Sequence, residues 1–471
     1  MQPTLRAVLI FARPTGLTRP TWRARLARGA RAAALVLAAI VGLPFVARAQ
    51  TNQIDIVQPT APELARYGDM TIGVRRLTVT DRNRVDVLNT KQGGPTARYD
   101  RTLTLEAWYP AVMRAGQSPG GDYRVVTRDP SRIATLHGQA VRDASPQLIS
   151  GPYPLVIISH GYPGNRFLLS HLAENLASKG YVVVAIDHPE STYDDQKAFA
   201  STLYNRPFDQ LFVLNEIDRL SKTKDSFFTG LVDASRTGLV GYSMGGYGVV
   251  NVIGGGFRDA AVTQLGGPPN RLLAERTASN PAYQSARDPR IRSVIAVAPW
   301  GMNAGYWDAA GLAGIKTPIF FLAGSADTVA GYEKGTRAIY EGAVNADRYL
   351  LTFLNANHNA GAPIPAPAET YAYSETQKSY TYTHYADAVW DSVVMNNIFD
   401  HFATAWFDWH LKGKAEDRSY FDVVPNGKDA VWAMTAQGQP GPTHTYWKGF
   451  QRGTAVGLVL EHAAPAGTTA K

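Results

Sequence analysis

The chain has 471 residues, 45% of them hydrophobic and 18% charged, a balance that supports one large core and excludes disorder as the main state. The formal charge of +8 would suit a nucleic acid, but residues 1–49 hold eight arginines (Arg6, Arg13, Arg19, Arg23, Arg25, Arg28, Arg31 and Arg48) and no acidic residue; the rest is close to neutral, and no nucleic-acid partner is expected. No cysteine occurs, which excludes disulfides, a thiol nucleophile and a thiolate metal site.

The arginine-rich leader runs into the apolar stretch Ala32 to Leu43, then Pro44 and Ala47-Arg48-Ala49. A basic region, a short apolar region and an A-x-A site read as a secretory signal peptide over 1–49, cut before Gln50. About a dozen apolar residues are too few to span ~30 Å of hydrocarbon comfortably, so no stable membrane anchor is expected after cleavage and the mature chain should be secreted or periplasmic. The leader has no adjacent arginine pair, which points to general export. Residues 50–65 are aperiodic and read as a linker, with 66–462 as one domain and 463–471 as a disordered tail.

Met70 to Thr80 and Thr102 to Tyr109 alternate apolar and polar residues, as in antiparallel strands with one face partly wet. From residue 153 the pattern changes. Apolar runs at Pro154–Ser159, Tyr181–Ile186, Thr237–Gly241, Ile291–Ala298, Pro318–Ala323 and Tyr349–Leu354, the last, alternate with helical stretches at Asn165–Lys179, Pro207–Ser221 and Ala386–Lys412. Strands that are apolar throughout and separated by helices predict an α/β fold, a doubly wound and mostly parallel sheet with antiparallel N-terminal strands. Two stretches interrupt the repeat. Residues 255–290 are long for a connection and read as a lid-like insertion, and 361–385 is rich in Pro and Tyr.

Gly241-Tyr242-Ser243-Met244-Gly245 lies between a strand and a helix, the setting of a nucleophile elbow. Such a turn lifts the serine oxygen above the sheet edge and aims the Met244 N–H, at a helix N-terminus, where an oxyanion would form. A second donor is expected after the third strand, in Ser159-His160-Gly161-Tyr162-Pro163; Pro163 has no N–H, so the candidate is the Tyr162 amide. His160 precedes the serine and is expected to bond within its turn. A serine at its free pKa needs a histidine oriented by a carboxylate, and in this fold the order is Ser, acid, His, each at a strand end. Of His358, His384, His401, His410, His444 and His462, only His358 directly follows a core strand, which makes it the candidate base. Asp327 follows the preceding strand and is the candidate acid; its alternative is a helix cap, with Asp308 in reserve. Neither a metal nor an organic cofactor is required.

These residues resemble the α/β-hydrolase superfamily over roughly 68–413. More narrowly, Val74-Arg75-Arg76-Leu77-Thr78-Val79-Thr80-Asp81, Trp108-Tyr109-Pro110, His160-Gly161, Asp187-His188-Pro189 and Arg206-Pro207-Phe208-Asp209 resemble a bacterial dienelactone-hydrolase group similar to platelet-activating-factor acetylhydrolases. True dienelactone hydrolases use a cysteine, which this chain lacks. Gly161-Tyr162, Ser243-Met244-Gly245-Gly246 and Ala298-Pro299-Trp300 are similar to bacterial cutinases and polyester hydrolases. That similarity implies that Tyr162 and Trp300 flank an aromatic acyl group; the alternative for Trp300 is a core aromatic.

The expected function is therefore a serine carboxylic-ester hydrolase acting on small or polymeric esters through an acyl-enzyme. A polyester or a phospholipid acyl group is the alternative substrate. Acyl transfer and a non-catalytic binding protein are the readings of other classes. Epoxide hydrolases and haloalkane dehalogenases need a carboxylate where Ser243 stands.

Overall fold

The computed structural model describes residues 52–467. The signal-peptide reading of 1–49 and the end of the expected tail, 468–471, lie outside the described residues.

One mixed sheet organises the chain. Its strands are β1 (Ile72–Val85), β2 (Arg98–Val112), β3 (Tyr153–Ser159), β4 (Val182–Asp187), β5 (Val232–Tyr242), β6 (Ile291–Val297), β7 (Ile319–Gly324), β8 (Arg348–Phe353) and β9 (Leu458–Ala463). Across the sheet the order is β9-β8-β7-β6-β5-β3-β4-β2-β1, and a short strand at Val141–Arg142 closes the far edge. Strands β3 to β8 run parallel; β1 is antiparallel to β2, β2 to β4 and β9 to β8, while the short edge strand runs parallel to β1.

Period two explains why the central strands are apolar at every position. Val156, Ile158, Val183 and Val240 face one layer, and Leu155, Ile157, Val184 and Leu239 face the other. Helices α1 (Ser170–Ala177) and α4 (Ser392–Lys412) cover the first face through Leu172, Phe402 and Trp406. Helices α2 (Phe199–Lys222) and α3 (Met244–Val252) cover the second through Val213, Leu214 and Val249. Each such buried side chain stabilises the fold by about 1.5–3 kcal/mol relative to exposure.

Three departures from the sequence-based expectation bear on the architecture. Helix α2 begins at Phe199 and carries Pro207 inside it. The proline cannot donate to the Leu203 carbonyl one turn back; Tyr247 Oη donates to that carbonyl instead, at 3.0 Å, so the break is bridged from α3. The sheet does not end at β8. Buried Leu458 and Leu460 alternate with half-exposed Val459 and Glu461, and the segment adds β9 antiparallel to β8, ending at Ala463, the first residue of the expected tail. Residues 52–65 are docked rather than free. Ile54 is buried and its N–H donates to His137 O at 3.0 Å, Gln58 N–H donates to Asn397 Oδ1 at 2.9 Å, and Leu64 N–H to His401 Nδ1 at 3.1 Å. Partners far away in the sequence leave no periodic trace in a short segment.

Candidate active site

Ser243 occupies the turn between β5 and α3 with φ 54° and ψ −113°, a backbone conformation rarely adopted by residues with a side chain. Its N–H donates to Val297 O at 2.9 Å, which ties the turn to β6. The flanking glycines are steric necessities. A Cβ on Gly245 would lie 1.9 Å from Ser159 O, and one on Gly241 would lie 2.3 Å from Gly245 O.

The loops after β7 and β8 bring two more groups to this serine. His358 Nε2 is 2.9 Å from Ser243 Oγ, and His358 Nδ1 is 2.9 Å from Asp327 Oδ2. Asp327 does two jobs with two oxygens: Oδ2 meets the imidazole while Oδ1 accepts the N–H groups of Val329 and Ala330 at 2.8 and 2.9 Å. Burial pushes this carboxyl up, but the His358 hydrogen bond and charge and the two amides outweigh it and hold the group below its usual range. An ionised Asp327 keeps the proton on Nδ1 and leaves the Nε2 lone pair facing the serine hydroxyl. Asp308 accepts the Gly311 N–H at 2.9 Å and caps the short helix Ala309–Leu312.

Neighbouring groups fix the histidine loop. Asn357 Oδ1 accepts the N–H groups of Thr328 and His358, and Asn357 N–H donates to Asp387 Oδ2 at 2.7 Å. The Tyr242 ring lies 5.2 Å from the imidazole, and its hydroxyl donates to Asn359 Oδ1 at 2.9 Å.

Across the serine, the loop after β3 presents Tyr162. Neither the Tyr162 N–H nor the Met244 N–H has an acceptor among the described residues. The two preceding carbonyls are both engaged by Arg206, a buried cation that donates to His160 O, to Gly161 O at 3.3 Å and to Ser191 Oγ. His160 Nδ1 also meets Gly161 O at 2.7 Å. Burial, then the Arg206 charge, pushes His160 well below the ordinary histidine range, so it is neutral within its turn.

Beneath this loop Ser159 Oγ is 2.8 Å from His188 Nε2, and His188 Nδ1 is 3.0 Å from Asp209 Oδ2. The connectivity repeats that of Ser243, His358 and Asp327, but all three residues are at most 1% exposed, so no substrate reaches them. Asp209 also accepts Arg101 Nε and Nη2, both at 2.9 Å. Burial raises the Asp209 carboxyl, yet the Arg101 charge and the hydrogen bonds of His188 and Arg101 carry it far below the carboxylate range. The motifs around His188 and Arg206 to Asp209 are therefore a buried scaffold under the Tyr162 loop, which sequence reading registered only as a resemblance.

Ser243 and His358 open into a cleft of about 530 Å³ whose wall includes Tyr162, Tyr242, Arg128 and the segment between Gln377 and Ala388. Part of the Tyr-rich stretch thus borders the site. Residues 255–290, expected to form the lid, contribute nothing to this wall among the described residues. They pack along the flank of α3, with Phe257 stacked on Tyr247 at 5.3 Å and Asn270 Nδ2 donating to Gly94 O at 2.9 Å. Trp300 is likewise not among the residues that line the cleft. Its N–H donates to Ser243 O at 3.1 Å, while its ring packs edge-on against Phe199 at 5.2 Å, and Phe199 in turn meets Tyr162 at 4.9 Å.

The solved structure of a ferulic acid esterase from Streptomyces cinnamoneus shares this architecture with a TM-score of 0.51 at 21% identity, covering 77% of this chain and 94% of that one. The chain has the α/β-hydrolase fold. Within this α/β-hydrolase, residues 111–262 match a family model described as PET hydrolase-like, a span that holds Tyr162, Ser243 and Met244 but neither Asp327 nor His358. Cutinase est1 of Thermobifida alba is 25% identical over 210 residues, 44% of this chain and 54% of its own. A bis(hydroxyethyl) terephthalate hydrolase of Streptomyces coelicolor is 25% identical over 209 residues, 44% of this chain and 51% of its own. The chain spans about half the length of the curated relatives it matches.

Proposed function

We propose that this α/β-hydrolase is an exported serine esterase that cleaves carboxylic esters, with Ser243 as nucleophile, His358 as general base, Asp327 as its orienting acid and the Tyr162 and Met244 amides as the oxyanion hole. The observation that carries the reading is the continuous relay from Asp327 Oδ2 through His358 to Ser243 Oγ, with 2.9 Å at each link, beside two amides that have no acceptor among the described residues. Export is supported by the basic leader, the apolar run and the A-x-A site of residues 1–49.

In the first half-reaction Ser243 Oγ bonds to the ester carbonyl carbon as its proton passes to His358 Nε2. The carbonyl oxygen becomes an oxyanion held by the two amides, each donor of this kind contributing about 2.7–4 kcal/mol at the transition state. Collapse breaks the bond to the alkoxy oxygen, which leaves as alcohol with the proton from His358. Water then repeats the sequence on the acyl-enzyme, releases the acid and restores Ser243.

The named relatives act on cutin, a terephthalate ester and ferulic acid esters, so aromatic acyl groups are the favoured class here; Tyr162, Tyr242 and Tyr382 in the cleft wall suit them. A chain-length series of 4-nitrophenyl esters, run beside methyl ferulate and bis(hydroxyethyl) terephthalate, tests the reading. Hydrolysis with a 4-nitrophenol burst, lost in Ser243→Ala, is expected; equal rates in wild type and Ser243→Ala would contradict it. Product analysis with added alcohol separates hydrolysis from acyl transfer.

A further inference from the structure

Arg128 lines the same cleft as Ser243 and His358. It follows the strand Gly121–Val126, and its backbone is pinned: the Arg128 N–H donates to Tyr385 Oη at 3.0 Å, Asn165 Nδ2 donates to Val126 O at 2.9 Å, and Thr127 and Asp129 on either side are buried. The half-buried guanidinium, by contrast, makes no hydrogen bond, ion pair or ring contact with any described residue. Nearby Arg132, on the same loop, pairs with Asp129 and donates to the carbonyls of Glu369, Ala372 and Tyr373.

The acidic groups around Arg128 are already committed. Asp129 is taken by Ser131 and Arg132, and Asp387, the carboxylate of the cleft wall, accepts the N–H groups of Asn357, Val389 and Trp390. His384, also in the wall, is pushed down to about 3 by burial and then by the Arg128 and His358 charges, so it stays neutral. A guanidinium partly withdrawn from water, with none of its five donors engaged by a described residue, is a ready partner for a planar anion that it can hold by two parallel hydrogen bonds.

We infer that the cleft selects esters whose far end carries a carboxylate, namely monoesters of dicarboxylic acids, with Arg128 holding that carboxylate while the ester carbonyl lies against Ser243. The inference rests on the ester-hydrolase reading and narrows it to a substrate class. Arg128 determines specificity and takes no part in bond making.

The probes are mono(4-nitrophenyl) glutarate and its methyl ester, which share a leaving group and differ in one charge. The expected result is a ratio of kcat/KM, acid over methyl ester, that falls about tenfold in Arg128→Gln, falls less in Arg128→Lys, and holds in Arg124→Gln, an exposed arginine on the same hairpin. The wild-type ratio should also fall in about 0.5 M salt, and free glutarate should inhibit wild type more strongly than Arg128→Gln. Equal ratios in wild type and Arg128→Gln, with the methyl ester still hydrolysed, would overturn this inference alone. Failure of wild type to hydrolyse either ester would overturn the esterase reading and this inference with it.

Discussion

The Arg206 guanidinium donates to the carbonyl oxygen of Gly161 at 3.3 Å, and that carbonyl shares its peptide unit with the Tyr162 N–H. A cation on one end of a peptide polarises the other, so Arg206 both fixes this peptide unit and strengthens its N–H as a donor. Burial is the main force on Arg206, pushing its pKa down to about 9, and no carboxylate lies in ion-pair contact with it among the described residues.

Arg206→Lys should therefore act as loss of a positioning residue. The lysine can reach one carbonyl but cannot hold both, and kcat should fall about 10²-fold with a smaller change in KM. Affinity for a boronic acid that mimics the tetrahedral adduct should fall in parallel. A purely structural role would instead lower the melting temperature and leave both readouts near wild type in the folded fraction.

Asp327→Asn removes the charge that orients His358 while keeping an oxygen for the Val329 and Ala330 amides. A fall in kcat of about 10⁴-fold is expected, with the melting temperature nearly unchanged. Steady-state kinetics and a thermal melt on the same sample check this. A large loss of stability with modest loss of kcat would make Asp327 chiefly a cap.

Several histidines are held neutral, His188 and His401 buried outright and His384 and His410 half-buried. Burial first holds His188, His384 and His401 down to about 3 and His410 to about 4. Their folded pKa values lie below the unfolded value of about 6.5, so the unfolded chain binds more protons in between and stability rises with pH there. Acidification from about pH 6.5 toward 4 should lower the urea midpoint steadily, each group adding at most about 1.4 kcal/mol per pH unit. A flat urea midpoint across that window would contradict the neutral assignments.

The parallel sheet was legible because β3 to β8 are buried on both faces and so read as unbroken apolar runs. Ser243, Asp327 and His358 stood out because each follows such a run directly, and the structure brings them together. Trp300 also follows one, but the direction of a strand-end side chain is set by its neighbours, and this ring packs against Phe199 and Tyr247. The length of 255–290 marked an insertion without saying which flank it would cover; Tyr247 and Asn251 of α3 are its anchors. Arg206 and Asp209 were opaque for a different reason. Charged residues in a helical stretch read as solvated, and only tertiary packing buries them.

Labelling with a fluorophosphonate, followed by peptide mass spectrometry, tests the central claim most directly, because the reagent needs a serine hydroxyl activated by a base and stabilised by an oxyanion hole. One adduct per chain is expected, on the peptide containing Ser243, with labelling abolished in His358→Ala. An unlabelled folded protein, or an adduct on a serine other than Ser243, would contradict the account.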